Sequence, residues 1–199
     1  ISIVHIAFNI CTTLLLFPVS DWIIKLAKKI GRVEEDSQDK SMVQLDERVL
    51  QTPGLALQST VNEVIRMGQI VEDSLMVAKD VLFTLKDGDI QFLKEEEATV
   101  DRLSAGITNY AIKVGALQIS EKEHQDVAHL LQVVSDMERI SDYCENISEF
   151  AETLYEKKTS FSEVGIEQLK EMMEVCTDSY RYALKAFENQ DRALALKVI

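Results

Sequence analysis

The sequence is poor in the residues that interrupt a chain: two prolines, Pro18 and Pro53, and seven glycines stand among 199 residues. So few turn formers exclude a fold of many short strands and make helix the default. Cysteine is scarce too. Cys11, Cys144 and Cys176 are odd in number, far apart and set in apolar or helical surroundings. That fits neither a disulfide framework nor a zinc ribbon and implies a reducing compartment. Bases are outnumbered, 21 against 34 acids, for a formal net charge of −13. Such a surface repels a phosphate backbone, so nucleic acid is excluded as a partner. It suits cations as partners, and equally serves as a solvated face. No Ser/His/Asp set, phosphate-cradling glycine loop or paired-cysteine site stands out, so the expected role is not enzymatic.

Charge of either sign is nearly missing from the amino-terminal end. Ile1 to Phe17 hold none if His5 is neutral, and Trp22, Ile23, Ile24 and Leu26 extend the apolar stretch past Pro18 and Asp21. This is long enough for the roughly 17 to 25 residues of a membrane-spanning helix. Lys25, Lys28, Lys29 and Arg32 follow the apolar run rather than precede it, which speaks against a signal peptide and marks a cytoplasmic end. We therefore expect a transmembrane helix with its basic flank over residues 1–32, in the cell (inner) membrane, and residues 33–199 in the cytoplasm. His5 and Asn9 share one helical face, suited to packing against other membrane helices. The first residue is Ile1 rather than Met, so the chain reads as a fragment of a longer protein.

Residues 33 to 44 are polar and aperiodic, and the spacing predicts a linker over 33–51. An all-α domain follows over 52–199, cut at its carboxyl end. Thr52-Pro53 forms a cap-and-first-turn pair, after which Val61, Val64, Gly68, Val71, Leu75, Ala78, Leu82 and Leu85 recur at three and four steps as the seam of a bundle helix. Asp87-Gly88-Asp89 reads as the turn that ends it. A second helix is predicted from about Ile90 to Leu117, on a seam of Leu93, Val100, Leu103, Ile107, Tyr110, Val114 and Leu117, with Glu96 as its charged intruder. Ser120 and Glu123 form a capping box opening a third, to about Lys158. Its seam is Val127, Leu130, Val134, Met137, Ser141, Cys144, Ser148, Ala151 and Tyr155. A fourth spans roughly Ser162 to Glu188, and Asn189-Gln190-Asp191 starts a fifth.

Two Glu-x-x-x-Asp pairs fall in one register on neighbouring helices, Glu97 with Asp101 and Glu138 with Asp142. Each pair spans one turn, so its carboxylates point the same way. Two antiparallel helices packed ~8 to 10 Å apart bring the four within range of one cation. Mutual repulsion would be relieved by magnesium, calcium, manganese, iron or zinc, or in part by Arg139. Glu121 and His124 give a single Glu-x-x-His, an element that di-iron bundles use twice.

His5-Ile-Ala-Phe-Asn9 with Thr12, Thr13 and Pro18 resembles the closing membrane helix of bacterial sodium/phosphate cotransporters. Leu45-Asp-Glu-Arg48, Thr52-Pro53, Ala56-Leu57 and Glu63-Val-Ile-Arg-Met67 look like the stretch those proteins carry just after it. Ser135-Asp-Met-Glu-Arg-Ile-Ser-Asp142, with Asn146 and Glu149, is similar to the signature of PhoU-like domains, with Ser141 where glycine is usual. Phe187-Glu-Asn-Gln-Asp191 and Leu196-Lys-Val-Ile199 resemble the start of such a domain's next helix. The resemblance implies a PhoU-like antiparallel helical bundle, a three-helix half plus part of a second. It also implies a regulatory role in phosphate transport and a divalent or ferric metal ion held by Glu97, Asp101, Glu138 and Asp142, with Asp136 as a neighbour. Inorganic phosphate and sodium, the coupling ion, would act through the parent symporter, whose substrate ligands lie upstream. A regulatory protein partner is also expected. The alternative is a membrane-tethered helical signalling or scaffold module without a transport role.

Overall fold

The computed structural model describes residues 45–84 and 87–198. The expected membrane helix at 1–32 and the linker up to residue 44 lie outside the described residues. Among the described residues, no helix is long and apolar enough to cross a membrane.

Every described element is helical. A 3₁₀ turn over Glu47–Gln51 precedes α1 (Pro53–Val81), α2 (Asp87–Gly115), α3 (Glu121–Glu156), α4 (Glu163–Asn189) and the single turn α5 (Arg192–Ala195). Pro53 opens α1 as expected, since its ring presets φ and its missing N–H is one the first turn leaves unpaired. Thr52 contributes no side-chain cap. The Ser120 capping box is present in both directions: the Ser120 hydroxyl accepts from the Glu123 N–H, and the Glu123 carboxylate accepts from the Ser120 N–H at 2.7 Å. Ser162 caps α4, which ends at Gln190 in the left-handed region, φ 52°. Asp191 then caps α5 through the Ala193 and Leu194 amides.

Three apolar clusters show how the helices run. At one end, Ala56 of α1 meets Tyr110, Ala111 and Val114 of α2 and Val127 of α3. In the middle, Val64, Met67 and Val71 pack with Val100, Leu103, Ile107, Leu130, Val134, Met137 and Leu184. At the far end, Leu75, Ala78 and Val81 meet Ile90, Leu93 and Cys144. Thus α2 is antiparallel to both α1 and α3, and the three form one bundle. α4 lies along α1 in the opposite sense: the Tyr180 hydroxyl donates to the Gly68 carbonyl at 2.9 Å, Arg181 pairs with Glu72 at 2.8 Å, and Lys170 stands 5.3 Å from the Phe83 ring centre.

Several details depart from expectation. Asp87-Gly88-Asp89 forms the first turn of α2 rather than the break before it; acids at a helix start complement its dipole, so residues that punctuate a chain also open helices. Residues 45–51, expected as the end of a linker, fold against the bundle, with Leu45, Val49 and Leu50 on the first cluster. Tyr155, expected on the α3 seam, is 71% exposed in the last turn of that helix. The α1 seam is wider than two positions per heptad and takes in Glu63, 1% exposed, whose carboxylate pairs with Arg66 at 2.7 Å.

Candidate functional site

The register of α2 against α3 decides where the acidic pairs fall. The core sets Leu93 near the level of Cys144 and Val114 near that of Val127. Counting inward from the two ends brackets Glu97 between Ile140 and Cys144, at the level of Asp142, and Asp101 between Asp136 and Ile140, at the level of Glu138. Antiparallel packing therefore matches the Glu of one motif with the Asp of the other.

Glu97, Asp101 and Asp142 come together: each offers a carboxylate oxygen, and these atoms all lie within 4.8 Å of one another. Glu97 and Asp142 are half-buried and Asp101 is exposed. Burial pushes the Glu97 carboxyl up, and the charges of Asp101, Glu145 and Asp142 push it further. Glu138 is not within that group of three. It flanks the group on α3, its carboxyl raised by burial, then by Asp142 and Asp101, and eased downward only by Arg139. Asp136, the possible neighbour, is exposed and accepts from the Gln132 side chain at 3.1 Å. Glu145 is the participant that motif reading passed over. It lies one turn beyond Asp142 and a heptad beyond Glu138, so the α3 stripe could have been extended to it from spacing alone.

An all-carboxylate set of this kind suits hard, oxygen-seeking cations, magnesium, calcium, manganese or ferric iron. It is a poor match for zinc, which favours nitrogen and sulfur donors. The residues fit such an ion on one further count: every influence on Glu97 disfavours its charged form, and a cation would reverse that balance. Glu121 and His124 take no part. The His124 ring nitrogen lies 3.1 Å from the Ser120 carbonyl at the start of α3.

Behind the acidic stripe, α3 presents Ser141, Cys144 and Ser148 to the core. Burial drives the Cys144 thiol up to about 12, so it is an inert packing group. Ser141 is 2% exposed and its hydroxyl makes no hydrogen bond among the described residues.

Residues 64–151 match the family model described as PhoU domain, a span that contains all four acidic positions. The chain is 24% identical over 189 residues to the "Putative inorganic phosphate export protein YjbB" of Salmonella typhimurium, a match covering 94% of this chain and 35% of that protein. The protein of the same name from Escherichia coli K12 is 24% identical over 192 residues, with the same coverage. The "Phosphate-specific transport system accessory protein PhoU homolog" of Aquifex aeolicus is 30% identical over 145 residues, 72% of this chain and 64% of that protein. The chain thus spans about a third of the length of the export-protein relatives it matches. No solved structure matches significantly.

Proposed function

We propose that this chain belongs to a sodium-coupled phosphate transporter of the membrane, in which the bundle over 52–199 is a PhoU-like regulatory domain without catalytic activity. One observation carries the reading. A 94% match to the export proteins leaves only about 12 of the 199 residues outside it, so much of the apolar segment before residue 33 is matched together with the bundle. The accessory homologue from Aquifex aeolicus matches 72% of the chain. Pairing an apolar, base-flanked segment with a PhoU-like bundle supports a transporter carrying its own regulator. It favours this over a tethered signalling module. On this reading residues 1–32 cross the inner membrane and 33–199 face the cytoplasm.

The regulatory input is a metal ion held by Glu97, Asp101 and Asp142, with Glu138 and Glu145 beside them. Bound there, a hard cation supplies positive charge that ties α2 to α3. The chain's own part is to hold these carboxylates close at a cost in mutual repulsion, so that the tightness of the α2–α3 contact follows cation supply. A protein partner docking on the bundle would sense that change.

Phosphate flux through the full-length protein in vesicles, with and without a sodium gradient, tests the transport reading. Flux indifferent to sodium sinks the coupling, and no phosphate flux sinks the whole. For the regulatory site, Glu97→Gln with Asp101→Asn and Asp142→Asn is expected to abolish retention of Mn2+ or Fe3+ by the full chain and to change the dependence of flux on phosphate. Undiminished metal retention, or unaltered flux, removes the site from the account.

A further inference from the structure

We propose that residues 45–51 are a releasable clasp, a short strap that grips one end of the bundle and fastens the chain entering at residue 45 to helix α2. The strap is built locally. Asp46 caps the 3₁₀ turn by accepting from the Arg48 N–H at 2.8 Å and holds the Arg48 guanidinium with the same carboxylate. Inside the turn, the Val49 N–H donates to the Asp46 carbonyl at 3.0 Å and the Thr52 N–H to the Val49 carbonyl at 2.9 Å.

Two groups of α2 read this folded form. The Tyr110 hydroxyl, on a side chain that is 4% exposed, donates to the same Asp46 carbonyl at 3.1 Å, so one oxygen accepts both the strap's own amide and the helix's phenol. One turn on, the Lys113 ammonium pairs with Glu47. Leu45, Val49 and Leu50 rest on the cluster of Ala56, Ala111, Val114 and Val127.

The grip is specific but light. No residue of the turn is fully buried, its apolar side chains are only partly covered, and the Lys113–Glu47 pair is half or more exposed on both sides. Partly covered segments held by exposed ion pairs are drawn from the low-stability end of a fold, whereas Tyr110 itself belongs to the packed core. The strap can therefore leave while α1, α2 and α3 stay together. Tyr110 lies nine residues beyond Asp101, about 14 Å along one unbroken helix. Strap and acidic cluster thus share a rigid element, although the clasp needs no ligand at the cluster.

Hydrogen exchange of the full chain held in detergent tests this. Strap amides, Val49 and Thr52 above all, are expected to exchange well before the central amides of α1, α2 and α3. Lys113→Glu, a surface change that sets two like charges against each other, should speed strap exchange about fivefold, leave the helix centres unchanged, and be reversed by adding Glu47→Lys. Tyr110→Phe should speed it by a similar factor. Strap amides exchanging only as slowly as the helix centres would make the segment a fixed part of the core and overturn the proposal. So would a strap indifferent to Lys113→Glu, or a charge swap that restores nothing. If Tyr110→Phe disturbs the helices, the Lys113 and Glu47 variants carry the test alone.

Discussion

Glu97 on α2 and Asp142 on α3 hold carboxylate oxygens within 4.8 Å of each other and of Asp101, although 45 positions separate them in the chain. In metal-free protein this is stored repulsion. The folded state lifts the Glu97 and Glu138 carboxyls above their ordinary value of 4.5, so it retains protons that the unfolded chain releases. Their contribution to stability is complete below that ordinary value and is lost as pH rises through the raised folded values. Asp46 and Glu123 are lowered and act in the opposite sense, their contribution being lost as pH falls. With metal removed by chelator, Glu97→Gln with Glu138→Gln should raise the urea midpoint at pH 7 and flatten its change between pH 7 and pH 5. A lower midpoint at pH 7 would show that the carboxylates do not strain the fold.

At Gly68, side chains of α4 and α3 press against the backbone of α1. A Cβ there would stand 2.5 Å from Leu184 Cδ1 and 2.8 Å from Met137 Cε, both ends of flexible side chains. Gly68→Ala should therefore be mild, since up to about 1 kcal/mol gained in helix propensity offsets the repacking. Gly68→Leu cannot be absorbed so easily and should cost about 1 to 3 kcal/mol as overpacking, breaking the Tyr180 bond to the Gly68 carbonyl. Hydrogen exchange should then show α4 loosening first. Equal loosening of α2 would contradict this.

Ser141 buries a hydroxyl that makes no hydrogen bond among the described residues. Removing an unsatisfied polar group while keeping its Cβ should help, so Ser141→Ala is expected to stabilise the bundle by about 1 kcal/mol in chemical denaturation. A loss of similar size would mean that the hydroxyl has a partner.

The capping box at Ser120 supplies the first-turn amides of α3 with acceptors. Ser120→Ala should cost about 1 kcal/mol, seen as a lower Tm and faster exchange confined to residues 121 to 124. An unchanged melt would show that the preceding loop holds the helix start by itself.

Much of the bundle was legible in advance because helix signals are local. Val127 to Ala151 on α3 lie buried at every predicted seam position. The Ser120 box and the Ser162 start depend only on residues within one turn, and both are present. Glu63 was not legible: it sits within a polar-looking stretch, and its burial follows from the breadth of the face that α2, α3 and α4 together cover. Residues 45–51 misled for a similar reason, since their grip on Tyr110 and Lys113 spans more than 60 positions.

By itself the sequence determined helix, seam and cap, and placed each Glu-x-x-x-Asp pair on one face, because periods of three and four residues and single-turn hydrogen bonds act over a few positions. Only the tertiary structure decided that α2 runs against α3 in the register that sets Glu97 beside Asp142, leaves Glu138 at the flank and draws in Glu145. That register is a property of how apolar side chains from distant segments fill a common core, and no single helix contains it.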